Sequence, residues 1–286
     1  MSTSHLKEVS GSKGFDANWR SRKETLNNYW IPGAPKNQIQ LAFRMHWRLF
    51  AELLDVTRSG RCLEVGCGRG SASSFFAQAG FDCTLLDYSP SVLSTATTIF
   101  ANNGHQGSFV CGDANALPFA CDNFDIILSI GLLEHFEDIA PPLKEQYRVL
   151  KPGGLFLGYV VPERPTNIQR YFRWVNRILK LLALFGKSKA SAPKTPIYRN
   201  DLGSERYLPV LDEIKAKDVQ AFGVYPLPMI SHSPEFPFSL MPRPIEWLLT
   251  QVFMGVLWSR RHLYGKNPWM CRESLGQAFL LVCRKG

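Results

Sequence analysis

In the stretch Arg61-Cys62-Leu63-Glu64-Val65-Gly66-Cys67-Gly68-Arg69-Gly70-Ser71, a short apolar run leads into three glycines at alternate positions, with an acid two residues ahead of the first. The run suits a strand buried on both faces, as the strands of parallel sheets are. Glycine has no Cβ, so such a turn can adopt positive φ and let a ligand approach bare backbone. In doubly wound α/β folds a turn of this kind leaves the carboxyl end of the first strand and cradles nucleotide-like ligands.

The surrounding sequence alternates in the way that fold requires. Gln38 to Leu54 predicts an amphipathic helix, followed by strands over about 61–66, 81–87, 107–111, 124–130 and 155–161. Helices are predicted between them over about 70–79, 90–102 and 138–150. Ser89-Pro90 caps the second, and Lys151-Pro152-Gly153-Gly154 stops the third. Two insertions interrupt the alternation. One covers 162–203; a helix (about 204–217) and a strand (219–225) follow; the second covers 226–274, and a last apolar strand closes the chain over 275–284. The expected division is an N-terminal tail and aromatic cap (1–40), a core (41–161, 204–225 and 275–286) and the two insertions.

The chain has 286 residues, 45% of them apolar and 12% aromatic, enough to fill the core of one large domain and too many for a disordered chain. Its seven cysteines form no CxxC pair, and Cys62, Cys67, Cys83 and Cys111 fall in or beside predicted strands, as small buried hydrophobes. Met1 to Gly14 is polar and lacks the apolar segment of a signal peptide. No apolar run approaches the length of about 18 residues needed to span a bilayer. The net charge of +9 is local: nine Lys or Arg and no acid lie between Arg164 and Arg199, so the rest of the chain is neutral overall. That concentration argues against diffuse nucleic-acid affinity and for one local device.

A dinucleotide-binding turn needs a third glycine five residues after the first, and here Ser71 stands in that place. A pyrophosphate would also be repelled by Glu64, which suits a cationic ligand. Asp87, ending the second strand, can accept from both hydroxyls of a ribose. Asp113, after the third strand, can accept from an exocyclic amine, with the Ala114 amide nearby. No group of Asp, Glu, Cys and His has metal-ligand spacing.

Five segments together resemble the class I S-adenosylmethionine-dependent methyltransferases, in the bacterial group that includes ubiquinone- and menaquinone-type methylases. They are Leu63-Glu64-Val65-Gly66-Cys67-Gly68-Arg69-Gly70, Leu86-Asp87-Tyr88-Ser89-Pro90, Gly112-Asp113-Ala114 with Leu117-Pro118-Phe119, Asn123-Phe124-Asp125-Ile126-Ile127, and Leu150-Lys151-Pro152-Gly153-Gly154. The resemblance implies an α/β, doubly wound, seven-stranded and mostly parallel sheet of Rossmann-like type, with an antiparallel last strand and helical insertions forming a lid. It implies S-adenosyl-L-methionine as cofactor. Glu64 and Gly66, Cys67, Gly68 and Gly70 would hold its methionine end, Asp87 with Tyr88 the ribose, and Asp113 and Ala114 the adenine. Residues 129–131, Ile130 among them, would line the sulfonium. Transfer in this family is an in-line displacement, so a base is needed only for an acceptor of high pKa. The candidates are His135, then His46 and Tyr198; for His135 a structural role at a helix start competes with that of base.

Both insertions attach on the ligand-binding edge of the sheet and are expected to roof the acceptor site. In the first, Arg170, Arg173, Arg177 and Lys180 share one helix face opposite a wide apolar face with Trp174 and Phe185, the profile of an interfacial membrane helix. Cations near an anionic leaflet contribute roughly 1 kcal/mol each. A lid helix packed on the domain fits equally well. In the second, Pro244 to Trp258 is apolar nearly all round, and burial beneath the lid is the safer expectation. The function expected is methyl transfer to a small apolar or amphiphilic acceptor, lipid- or quinone-like, in the cytoplasm with peripheral contact to an anionic membrane through 166–189. The alternatives are an RNA methyltransferase and a non-catalytic, membrane-associated binding subunit. Against nucleic acid, Ser129-Ile130-Gly131-Leu132 stands where base N-methylation expects an Asn/Asp-Pro-Pro-aromatic motif.

Overall fold

The computed structural model describes residues 29–54, 59–164, 168–175, 177–178, 181, 198–228, 230 and 241–286. Helix α1 (Gln38–Leu53) opens on Asn37, whose side chain accepts from the Gln40 amide at 2.9 Å. It buries Leu41, Ala42, Met45, Leu49 and Phe50, the stripe a 3.6-residue period predicts. Strand β1 (Arg61–Val65), α2 (Ser71–Gln78), β2 (Asp82–Asp87), α3 (Pro90–Asn102), β3 (Ser108–Cys111) and β4 (Phe124–Ile130) then follow in turn. Ser89 caps α3 as expected, accepting from the Val92 amide, with Pro90 at the first helical position.

The second half departs more from expectation. Helix α4 (Ala140–Val149) passes directly into β5 (Leu150–Val160), without a separate loop. The Lys151–Gly154 turn is absorbed into the strand as an irregularity, the pairing jumping from Phe124–Leu150 to Ile126–Leu155. Gly153, at φ 75°, allows this and donates to the Lys285 carbonyl at 2.8 Å. The helix predicted over 204–217 is a 3-10 turn (Ser204–Arg206) followed by a short α5 (Leu208–Glu213), because Lys215 turns left-handed at φ 56° and the chain reverses into β6 (Lys217–Val224). Helix α6 (Arg243–Tyr264), β7 (Met270–Cys271) and β8 (Ala278–Arg284) complete the order.

The sheet has eight strands in the order β3-β2-β1-β4-β5-β8-β6-β7. The strand beyond the seven expected is β7, two residues paired with Gly223 and Val224 at the sheet edge. Strands β1 to β5 are mutually parallel, and β8 is antiparallel to both β5 and β6. Alternate residues point to opposite faces, so Cys62 joins the layer of α1, α2, α3 and α6, while Leu63 joins that of α4 and α5. Strand order reverses at β1, between β2 and β4, which places the ligand crevice at their carboxyl ends.

Two burial expectations need correction. Helix α6 buries only Thr250, Phe253 and Leu257, and packs on α1 instead of lying enclosed. Cys62, Cys67 and Cys83 are buried, but Cys111 is exposed, because β3 is a short outer strand with little covering it. In the first insertion Ile168–Phe172 is a 3-10 turn leading into helical residues. There Tyr171, Trp174, Ile178 and Leu181 are exposed together with Arg170, Arg173 and Arg177. Lys180, Phe185 and the remaining cations as far as Lys194, like Met1 to Asn28, lie outside the described residues.

Gly70 occupies left-handed backbone at φ 67°, and a Cβ there would stand 2.6 Å from Leu85 Cδ2 and 2.9 Å from Phe100 Cε2. Gly70→Ala therefore combines a conformational penalty with overpacking and is expected to lower unfolding stability by roughly 2–4 kcal/mol, read as a lower urea midpoint at unchanged slope.

Candidate active site

At the carboxyl ends of β1, β2 and β4 lies a cleft of about 630 Å³. Of the residues singled out from the sequence, Glu64, Gly66, Cys67, Gly68, Asp87, Tyr88, Asp113, Ala114, Ile130 and His135 all line it. Gly70 does not: it sits behind the wall, ahead of the first residue of α2. The glycine turn is also more crowded than a bare cradle, since the Cβ position of Gly66 falls 2.8 Å from Leu132 Cδ1. Its glycines serve the fold as much as a ligand.

Glu64 is 3% exposed, and one carboxylate oxygen accepts from both the amide (3.1 Å) and the hydroxyl (2.5 Å) of Ser73. The strand acid thus caps the first turn of α2, which has no side-chain cap of its own. Burial drives its pKa up to about 7; the two Ser73 bonds oppose that shift and the Asp87 charge adds to it. A cation in the cleft would reverse the balance by favouring the ionised form.

Asp87 holds the rim together. One oxygen accepts from the Gly68 amide and the other from the Ser89 amide, each at 3.0 Å, so the turn after β1 is tied to the turn after β2. Gly66 and Cys67 complete the join by donating to the Leu86 carbonyl at 2.8 and 2.9 Å. Asp113 is exposed at the far side and holds its own loop, accepting from the Asn115 amide at 2.8 Å and its side-chain nitrogen at 2.9 Å.

The three base candidates separate. His46 is buried in an aromatic cluster with Phe43, Phe50, Tyr159, Tyr225 and Trp269, outside the cleft. Its Nδ1 accepts from Trp269 Nε1 at 2.9 Å, and burial lowers its pKa to about 3, so it is a core histidine. Tyr198 contributes its carbonyl, 2.6 Å from His135 Nδ1. Burial lowers the His135 pKa to about 4; the Tyr198 and Gly131 carbonyls act against the shift, and the Arg199 charge acts with it. The neighbouring Glu134 is wholly buried, and the backbone of Glu134 and Val161 and the Arg199 charge act against the cost of that burial. Burial raises it to about 7.

Sequence reasoning did not single out several cleft residues, Tyr29, Phe43, Arg69 and Arg199 among them. Arg69, from the glycine turn itself, is buried and donates to the Tyr29 hydroxyl at 2.7 Å, its guanidinium 5.3 Å from that ring. Phe43 of α1 and Arg199 complete the wall. An arginine between two glycines and an aromatic pair at Tyr29-Trp30 were the available signals, but nothing in the sequence pairs them. No residue from 226–274 lines the cleft among the described residues, so only the end of the first insertion, at Arg199, reaches the site. Among its described residues the second insertion does not reach the cleft, and α6 lies against α1.

Acids at three neighbouring strand ends, a glycine turn and an apolar wall of Phe43, Ile130, Leu132 and Phe136 fit a ligand that is a nucleoside at one end and cationic at the other. Residues 63–158 match the family described as "Methyltransferase domain". The chain is 35% identical over 154 residues to demethylmenaquinone methyltransferase of Renibacterium salmoninarum, covering 53% of this chain and 62% of that protein. It is 32% identical over 111 residues to the sterol 4-C-methyltransferase strm-1 of Caenorhabditis elegans, covering 38% and 33%. The YcgJ protein from Bacillus subtilis has a similar fold, with a TM-score of 0.53 at 19% identity over 85% of this chain and 99% of that one. So does the cyclase SpnF, with a TM-score of 0.53 at 19% identity over 98% and 94%. At such identities the two structures speak to the fold alone. These likenesses place residues 63–158 with the methyltransferase domains. Proteins named as ubiquinone and menaquinone methyltransferases are among the relatives the chain resembles. It spans from a third to just under two thirds of the length of these curated relatives.

The raised Glu64 pKa has a consequence for stability. In the folded chain Glu64 keeps its proton up to about pH 7, whereas its ordinary value is 4.5. Between those values the folded state binds more protons than the unfolded state, so stability falls as pH rises. Glu64→Gln keeps an acceptor for Ser73 and removes the titration. Relative to the parent, the variant should therefore gain roughly 2–4 kcal/mol between about pH 5 and about pH 8, measured by urea unfolding at both.

Proposed function

We propose that the protein transfers a methyl group from S-adenosylmethionine to a small apolar or amphiphilic acceptor, quinone- or sterol-like. The observation that carries this reading is the convergence of Glu64, Asp87 and Asp113 on one cleft with an apolar wall beside them. Relatives named for demethylmenaquinone, ubiquinone biosynthesis and sterol methylation support the acceptor class. In this reading Glu64 and the 66–70 turn hold the aminoacyl end of the cofactor, and Asp87, with Tyr88 beside it, the ribose hydroxyls. Asp113 and the Ala114 amide hold the adenine, and Ile130 borders the sulfonium. When bound, the cofactor supplies an already activated methyl. The chain's own work is to orient the acceptor and exclude water, an effect that can supply several kcal/mol. Phe43, Leu132 and Phe136 are the groups that would do so. We place this chemistry in the cytoplasm, with residues 166–189 touching an anionic membrane.

For His135 we propose a positioning role. A ring with a pKa of about 4, its Nδ1 directed at the Tyr198 carbonyl, is a weak proton acceptor. It ties the segment before Asn200 to the turn after β4, and so sets Arg199 and Phe136 at the cleft. His135→Asn should then lower kcat by less than about tenfold and chiefly raise the acceptor KM; a general base would cost 10²–10⁴-fold in kcat.

The reading is tested by calorimetry with S-adenosylhomocysteine. The parent chain should bind it, and Asp87→Ala, which strips ligand contacts and unties Gly68, should weaken binding by about 100-fold or more. No heat of binding to the parent would sink the proposal. Because a fold of this kind also serves the cyclase SpnF, transfer itself needs its own assay. Tritiated cofactor incubated with a cell extract should label the solvent-soluble fraction, and label confined to RNA would replace the acceptor class.

A further inference from the structure

Sixteen large apolar side chains are exposed among the described residues, and eight of them lie on α6: Ile245, Trp247, Leu248, Val252, Val256, Trp258, Leu263 and Tyr264. The helix is amphipathic in an unusual sense. Thr250, Phe253 and Leu257 face inward onto α1. Ile245, Leu248, Val252 and Val256 repeat at three and four residues on a second, outward stripe, with Trp247 and Trp258 flanking it. From Pro244 to Trp258 the polar side chains are Glu246, Thr250 and Gln251, and Thr250 is buried. A helix packed on a protein and facing water would carry its polar residues on that outward arc.

Charge decides what covers this face. Arg243 stands exposed at its start, and Arg261, His262 and Lys266 stand exposed at its end. Among the described residues the Arg261 guanidinium pairs with Glu52, at 3.8 Å and with both groups largely in water, a weak pair. The described part of the first insertion repeats the composition, with Tyr171, Trp174, Ile178 and Leu181 exposed beside Arg170, Arg173 and Arg177. No described helix is long and apolar enough to cross a membrane. Apolar outward residues bracketed by cations and flanked by tryptophans match the interfacial region of an anionic bilayer.

We infer that α6 is a membrane-docking helix, lying in the interface of an anionic lipid surface with Ile245, Leu248, Val252 and Val256 inserted and the terminal cations at the headgroups. This stands apart from the methyl-transfer reading, although it would bring the cleft to where an amphiphilic acceptor resides. Phe43, in the α1 helix on which α6 packs, lines that cleft. The test is co-sedimentation of the full chain with phosphatidylcholine vesicles, with and without phosphatidylglycerol, for the parent and for the double variant Leu248→Glu/Val252→Glu. Both substitutions are on exposed positions, and an unchanged melting curve and S-adenosylhomocysteine affinity check the fold and the cleft separately. The parent should bind the anionic vesicles, less tightly as salt rises, and the double variant should bind at least about tenfold less. No binding by the parent, or binding unchanged in the variant, overturns the inference. A dimer of the parent that the variant disperses, found by light scattering without lipid, assigns the face to a second copy of the chain and overturns it equally.

Discussion

A buried carboxylate at the end of a parallel strand has to be held by something, and for Glu64 that something is the first turn of the next helix. The Ser73 amide and hydroxyl donate to it, and in return α2 gains a cap its own sequence does not supply. The position of α2 fixes the direction of the glycine turn, and Asp87 then clamps that turn to the loop after β2 through Gly68 and Ser89. The cleft is thus assembled from the same hydrogen bonds that close the βα units. Its acids are preorganised by the fold, so a ligand meets them already aimed.

This double duty explains what could and could not be read from the sequence. The strands from Cys62 to Ile130 were legible because each is a short apolar run ending in a turn residue, and the first three are separated by helices of ordinary period. Most of the expected cofactor residues therefore arrive at one cleft. The scaffold roles of Glu64 and Asp87 were not legible, since an acid at a strand end reads the same whether it faces a ligand, a helix amide or both. Arg69 with Tyr29, and Arg199, pair across long stretches of chain. No local period records such a contact, and neither does the edge pairing of Met270–Cys271 with β6.

The largest misreading concerns α6, and its cause is physical. A helix apolar nearly all round is expected to be buried, because outward apolar residues in water are unfavourable by roughly 25 cal/mol per Å². The rule assumes that water or protein is the only surrounding. Here the inward stripe of Phe253 and Leu257 satisfies the core, while a second stripe of similar chemistry is left outside. Composition could count the apolar residues but could not say that two separate surfaces would share them.

Helix α1 joins these parts. Its Phe43 forms cleft wall, and its His46 stands three residues on, within rings from β5, from the end of β6 and from Trp269 beside β7. His46 must stay neutral there, because protonation of Nδ1 would remove the acceptor for Trp269 and place a charge among aromatic rings with no acid beside it. Its pKa of about 3 keeps it so across the physiological range. At the helix start, the Gln38 side chain donates to the Pro228 carbonyl and accepts from the Ile230 amide, fastening α1 to the chain that leaves β6. The wall of the cleft is therefore set by contacts made on the far side of α1, by the same second insertion that, among its described residues, contributes none to the cleft itself. Sequence elements distant from the cleft act on it by fixing the helix between them.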